Sequence, residues 1–199
     1  MSGTFPSSPA FNSLEVNSLQ PTFVSRTISG RRQARQIGGQ YFTMTASFPP
    51  MKRAEFAPID AFIMKQRGQY ETFQLVLPVL STGLGSPAGT PLVAGASQTG
   101  RSIITDGWTN DIQIFKAGDY LKFANHDKVY KVTADVSSHA SLGTATIAIE
   151  PALITSPVND SAITHSSVPF TVSLTTGVQE FSTGNSGLFS FEVDFSEAL

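Results

Sequence analysis

The chain has 199 residues, a formal net charge of -2 at pH 7 and no cysteine. It is long enough for one or two domains with a real core, and it excludes a disulfide scaffold, a thiolate metal site and a cysteine nucleophile. Charged residues are 14% against 40% hydrophobic, where ordinary soluble domains carry roughly 25% charged, so a normal core lies under a Ser/Thr/Gly-rich surface, which suits either coverage by neighbours or a β-rich protein with long polar loops.

Gly and Pro, 16 and 12 in number, punctuate the whole chain, which favours many short strands over long helices. Residues 1–20 are polar with two prolines and read as a flexible arm that orders only against something else. Thr22–Ile28 has strand-like β-branched content and is broken by GRRQARQIGG. In Gln40–Phe48, Tyr41, Thr43, Thr45 and Ser47 alternate with Phe42, Met44, Ala46 and Phe48, the pattern of a half-buried strand. Pro49-Pro50 ends it. From about 53 to 67, Phe56, Ile59, Phe62 and Ile63 fall at helical spacing and Gly68 supplies a left-handed stop. Pro58 suits only a first turn, which predicts regular helix from near Glu55.

Thr72–Leu77 reads as a strand closed by Pro78, and Leu80–Gly100 as a loop with a short strand at Leu92–Ala94. Ile112–Phe115, Tyr120–Phe123, Val129–Thr133 and Thr144–Glu150 form a meander with a hairpin turn at Asn125–Lys128, as in a small barrel-like module. Phe170–Leu174 and Leu188–Phe195 alternate again, the latter with Phe189, Phe191, Val193 and Phe195 on one face. Pairing that last strand with the amino-terminal ones predicts a β domain of residues 21–100 and 157–199 with residues 101–156 inserted as a small β module.

Little in the chain nominates chemistry. His126, His139 and His165 sit in turns or loops without the i, i+4 spacing of a helical metal pair, and Asn125-His126-Asp127 lacks the alternating ligands and closing Glu of a calcium loop. No G-x-S-x-G occurs, and the run from Gly83 to Gly89 has neither dinucleotide spacing nor a Lys-Ser/Thr ending. Asp106, Asp111, Asp119, Asp127 and Asp135 lie in or near predicted turns, where Asp bonds its own backbone. The expectation is no enzyme, no cofactor and no metal. A pI of about 5.9 gives no global reason to hold nucleic acid. With no run of about 18 apolar residues and no signal-like amino terminus, no membrane insertion and cytoplasmic synthesis are expected. The one charge cluster is Arg31, Arg32 and Arg35, with Arg26 just before. Because guanidinium forks suit interface carboxylates, these four are candidate oligomer-interface residues. Nucleic-acid contact is the competing reading. Trp108, Tyr120 and His126 are candidates for partner docking, the two aromatics also for a sugar platform.

Three stretches, GRRQARQIGGQYFTMTASFPPMKRAEFAPIDAFIMKQRGQYETFQLVLP, IFKAGDYLKFANHDKVYKVTADV with TIAIEPAL, and VPFTVSLTTGVQEFSTGNSGLFSFEVDFSEAL, together resemble structural proteins of tailed bacteriophages, of the distal-tail or baseplate kind. The resemblance runs from about Ser29 to the end. It implies a mainly β fold, a tail-tube-type β-sandwich or split barrel with one flanking helix, forming a homo-oligomeric ring, usually a hexamer, at the distal end of the tail tube. Such a ring joins the tube protein to baseplate hub or tail-fibre proteins in the virion, and DNA passes through its lumen without sequence-specific binding. The family brings no catalytic residue to transfer. A host-surface carbohydrate-binding module is the alternative, as is another tube-fold ring such as a tail terminator or tube initiator.

Overall fold

The computed structural model describes residues 2–183 and 187–199. In chain order its elements begin with β1 (Ser13–Leu19), β2 (Thr22–Arg26), β3 (Arg32–Gln36), β4 (Tyr41–Ser47), α1 (Arg53–Lys65) and β5 (Phe73–Val76). There follow β6 (Gly89–Val93), β7 (Ser102–Trp108), β8 (Gln113–Phe115), β9 (Tyr120–Phe123), β10 (Val129–Val132), β11 (Val136–Ser137), β12 (Ala145–Glu150) and β13 (Ile163–Thr164). The chain ends in β14 (Pro169–Leu174), β15 (Phe181–Thr183) and β16 (Phe189–Glu197). The fold is mainly β, as expected for a tail-tube-type protein.

Contacts divide the chain into two compact units: the residues through Phe73 with Val172–Glu197, and Gln74–Thr171 with Ala198–Leu199. The second unit is wider than the expected insertion of 101–156, because pairings distant in sequence draw its flanks in.

The first unit is built on a sheet in which β1, β4 and β16 lie side by side, with the Val172–Leu174 end of β14 paired to β16. β4 shows the predicted alternation: Phe42, Met44 and Ala46 are buried while the residues between are half-buried. On β16, Phe191, Val193 and Phe195 point inward. Residues 13–19, expected as part of a flexible arm, are instead strand β1, paired antiparallel with β4 from Ser13↔Ser47 to Leu19↔Tyr41. Its polar composition hid it, since only Leu14 and Val16 are partly covered within the strand. Upstream of β1, Phe5 is buried among Phe195, Phe62 and Phe73, with ring centroids 5.4, 5.5 and 6.0 Å away. Phenylalanine dominates this core, and Phe56 of α1 stacks on Phe189 at 4.8 Å.

The helix buries Phe56, Ile59 and Ile63 on one face. The Glu55 carboxylate accepts the Lys52 N–H at 2.9 Å, satisfying a donor ahead of the first turn. The helix starts at Arg53, so Pro58 lies beyond the first turn and removes one backbone bond, contrary to the expected start near Glu55. Arg67 and Gly68, at φ 56° and 67°, turn the chain away after it.

The second unit is a nearly closed barrel of strand order β13-β9-β10-β12-β7-β6. Closure comes from the two end strands: Leu92 bridges Ala162, and Val93 N–H donates to Ser161 O at 3.0 Å. A closed ladder leaves few free edges. At the β6–β7 contact the backbones approach so closely that a Cβ on Gly89 would lie 2.3 Å from Gly107 O, and one on Gly107 would lie 2.2 Å from Thr90 O. Glycine is required at both places. Inside the barrel, Ile103, Phe115, Leu121, Phe123, Tyr130 and Ile147 are all fully buried.

Candidate assembly surfaces

The four predicted arginines gather on one element. GRRQARQIGG, read as a break, contains β3, which pairs with β2 as a hairpin in register from Thr22↔Gln36 to Arg26↔Arg32. RQARQ has no apolar alternation to announce a strand; its pairing with β2 makes it one. Arg26 and Arg32 stand directly across from each other, with Val24↔Ala34 two residues along on the same face. Arg35 shares the other face with Phe23, and Arg31 lies in the connection.

All four arginines are exposed, and no residue from 22 to 39 is buried. Phe23, Ile28 and Ile37 are each more than half exposed. A two-stranded ribbon is marginally stable in water, and like charges directly opposite each other weaken it further. Neither of the ion pairs given by the structure, Arg101–Glu150 at 2.8 Å and Lys122–Asp127 at 4.0 Å, involves these arginines. The hairpin is thus a basic, partly apolar finger whose own pairing buries none of its side chains.

A second unfinished surface is the β1 edge of the sheet. Its sequence SLEVNSL has neither the lysine nor the proline that usually blunts an edge strand. The outward face of the same sheet carries Glu15, Glu192 and Asp194 on β1 and β16, interspersed with Ser and Thr. The signal for these features was weak, since only the overall shortage of charge pointed to covered surface.

Trp108, Tyr120 and His126 do not join the arginines. Their relative exposures are 4%, 6% and 7%, so none offers a ring to a partner or a sugar. Trp108 packs edge-on against Phe115 at 5.6 Å and donates from Nε1 to Thr105 Oγ1 at 2.8 Å. Tyr120 meets Phe170 at 5.5 Å. His126 sits in the β9–β10 turn with Nδ1 3.1 Å from Tyr130 Oη. Burial holds His126 below the usual histidine range, with the Ser156 backbone and the Asp127 carboxylate opposing it, and burial likewise lowers His165.

Asp119, expected simply in a turn, is buried at 3% exposure. Its carboxylate accepts backbone N–H groups of Leu84 at 2.7 Å, Lys116 at 2.8 Å and Gly85 at 3.2 Å, latching the 81–88 loop to the barrel. Asp106, also assigned to a turn region, lies within β7. Among the described residues no group of three or more His, Asp or Glu is placed to hold a metal ion.

The resemblance to distal tail proteins is supported by comparison: residues 81–168 match the family model of the B domain of distal tail protein pb9. This stretch falls within the barrel unit and is similar to that domain of a bacteriophage distal tail protein. Its similarity extends to the distal tail protein pb9 of Escherichia phage T5, 26% identical over 130 residues. That match covers 64% of this chain and 63% of the length of the phage T5 protein. Neither description names a catalytic activity.

Proposed function

We propose that the chain is a structural part of a phage virion, assembling as a closed homo-oligomeric ring, a hexamer, at the distal end of the tail. In this reading the ring joins the tail tube to baseplate hub or receptor-binding proteins, and the genome passes through its lumen without sequence-specific contact. The observation that carries it is the long, unblunted β1 edge, which a free subunit must cover and which edge-to-edge pairing in a ring satisfies. The arginine hairpin, exposed along its length, supplies a second contact between subunits. The barrel unit docks to a neighbouring tail protein. The family match over 81–168 favours a distal position over a tail terminator or tube initiator.

The test is the native mass of the purified chain over a range of concentrations, with negative-stain images of the largest species. A closed ring with a central hole is the expected result. A strict monomer at every concentration, also in the presence of the tube protein, overturns the reading.

A further inference from the structure

The first unit also carries a surface complementary to its own hairpin. Two concavities, of about 390 and 310 Å³, lie along β16 and the segment before β15, and both are lined by Glu180 and Glu192. The larger adds the exposed ring of Phe181, the smaller Asp194 and the exposed Val178. No lysine or arginine lines either one. Among the described residues, Glu180 and Glu192 have no cationic partner within 4 Å in the ion pairs the structure gives, and the Asp194 carboxylate accepts a neutral hydroxyl, Thr45 Oγ1, at 2.6 Å.

The hairpin is the converse in every respect. It has four arginines and no acid between Pro21 and Gly39, and its apolar side chains Phe23, Val24 and Ile28 are exposed among them. The Arg26–Arg32 pair is unfavourable by itself and becomes favourable with carboxylates laid across it. Five-residue strands at about 3.3 Å per residue give the finger a reach of roughly 16 Å before its turn, enough to lie along a groove of several residues. We infer that the β2–β3 hairpin of one copy seats in the Glu180–Glu192–Asp194 groove of a second copy, Arg26 and Arg32 facing the carboxylates and Ile28 meeting Val178 and Phe181. This rests on the ring reading in that it makes the groove part of the subunit interface.

The absence of cysteine makes a clean test possible in the full chain. Ile28→Cys and Val178→Cys proteins are mixed under mild oxidation, and the mixed disulfide dimer is measured against a control mixture of Ile28→Cys with Ser141→Cys, an exposed position in the other unit. The expected result is about tenfold more mixed dimer than in the control, lost when the Ile28→Cys chain also carries Arg26→Glu and Arg32→Glu, and regained when the Val178→Cys chain carries Glu180→Arg and Glu192→Arg. Because the cysteines are on separate chains, a hairpin folding onto its own groove gives no such product. If the wild-type chain forms rings but the mixed dimer stays at control level, the groove contact is wrong and the ring reading survives. If the dimer forms with the stated charge dependence while native mass shows no ring, the contact stands and ring closure falls. A monomer with only control-level dimer removes both.

Discussion

The barrel of Gln74–Thr171 and the β2–β3 hairpin are made of the same short antiparallel strands yet end in opposite states. In the six-stranded barrel sheet every strand lies between neighbours, with the Leu92–Ala162 bridge closing the circle, and even the separate β8–β11 pair buries Ile114, Phe115 and Val136 in the barrel core. In the hairpin two strands pair only with one another as a separate sheet, with no residue from 22 to 39 buried. Strand pairing therefore does not itself confer stability; the buried side chains and closed ladder do. The barrel has a buried core of its own, and the hairpin has none.

The largest expected break in that contrast is Phe115→Ala. Its ring is fully buried in the barrel, so truncation removes about 3–5 kcal/mol. Urea unfolding followed by Trp108, the single tryptophan and itself in the barrel, reads this directly. A shift below about 1 kcal/mol would mean that the barrel core collapses around the gap.

Asp119→Ala is next. Three backbone donors lose their acceptor, and leaving such groups unpaired costs about 1–3 kcal/mol. Increased hydrogen exchange at Leu84 and Gly85 should accompany the loss. Unchanged protection there would show that water replaces the carboxylate.

Acidification should act in the same unit and less strongly. His126 and His165 are held below the ordinary histidine range chiefly by burial, so the unfolded chain binds protons first as pH falls through about 6.5. Stability is fully present above that value and is lost as pH drops toward the depressed folded values. The His126→Gln, His165→Gln double variant should lose less between about pH 7.5 and 5.5 than the wild type. Equal losses in the two proteins would remove the histidines from the explanation.

The smallest effect is expected where exposed apolar area is greatest. Ile28→Ser should change subunit stability by no more than about 0.5 kcal/mol, while lowering self-association at high concentration in light scattering. A large loss of stability would show that the hairpin tip packs within its own subunit.

How far each element could be read depended on how local its cause was. The alternation in β4 and β16, the i, i+3, i+7 spacing of Phe56, Ile59 and Ile63, and the turn between β9 and β10 are written in neighbouring residues, and all were legible. β1 and β3 were not, because SLEVNSL and RQARQ have little apolar pattern and become strands through partners β4 and β2. Membership of the barrel was misplaced for the same reason. Residues 89–93 belong with 161–164 through bonds that span some seventy positions of chain.

The candidate surfaces divide along this line too. The sequence showed the four arginines as one charge cluster, and the resemblance over most of the chain pointed to the class of protein. The sequence by itself thus determined the β-rich class, the single helix and the charge of the finger, since periodicity and residue chemistry are local properties. Only the tertiary structure decided that Trp108, Tyr120 and His126 are buried inside the barrel unit. It likewise set Arg26 across from Arg32 and gathered Glu180, Glu192 and Asp194 along a groove. Burial and juxtaposition depend on strands that pair across long stretches of chain, which no window of neighbouring residues contains.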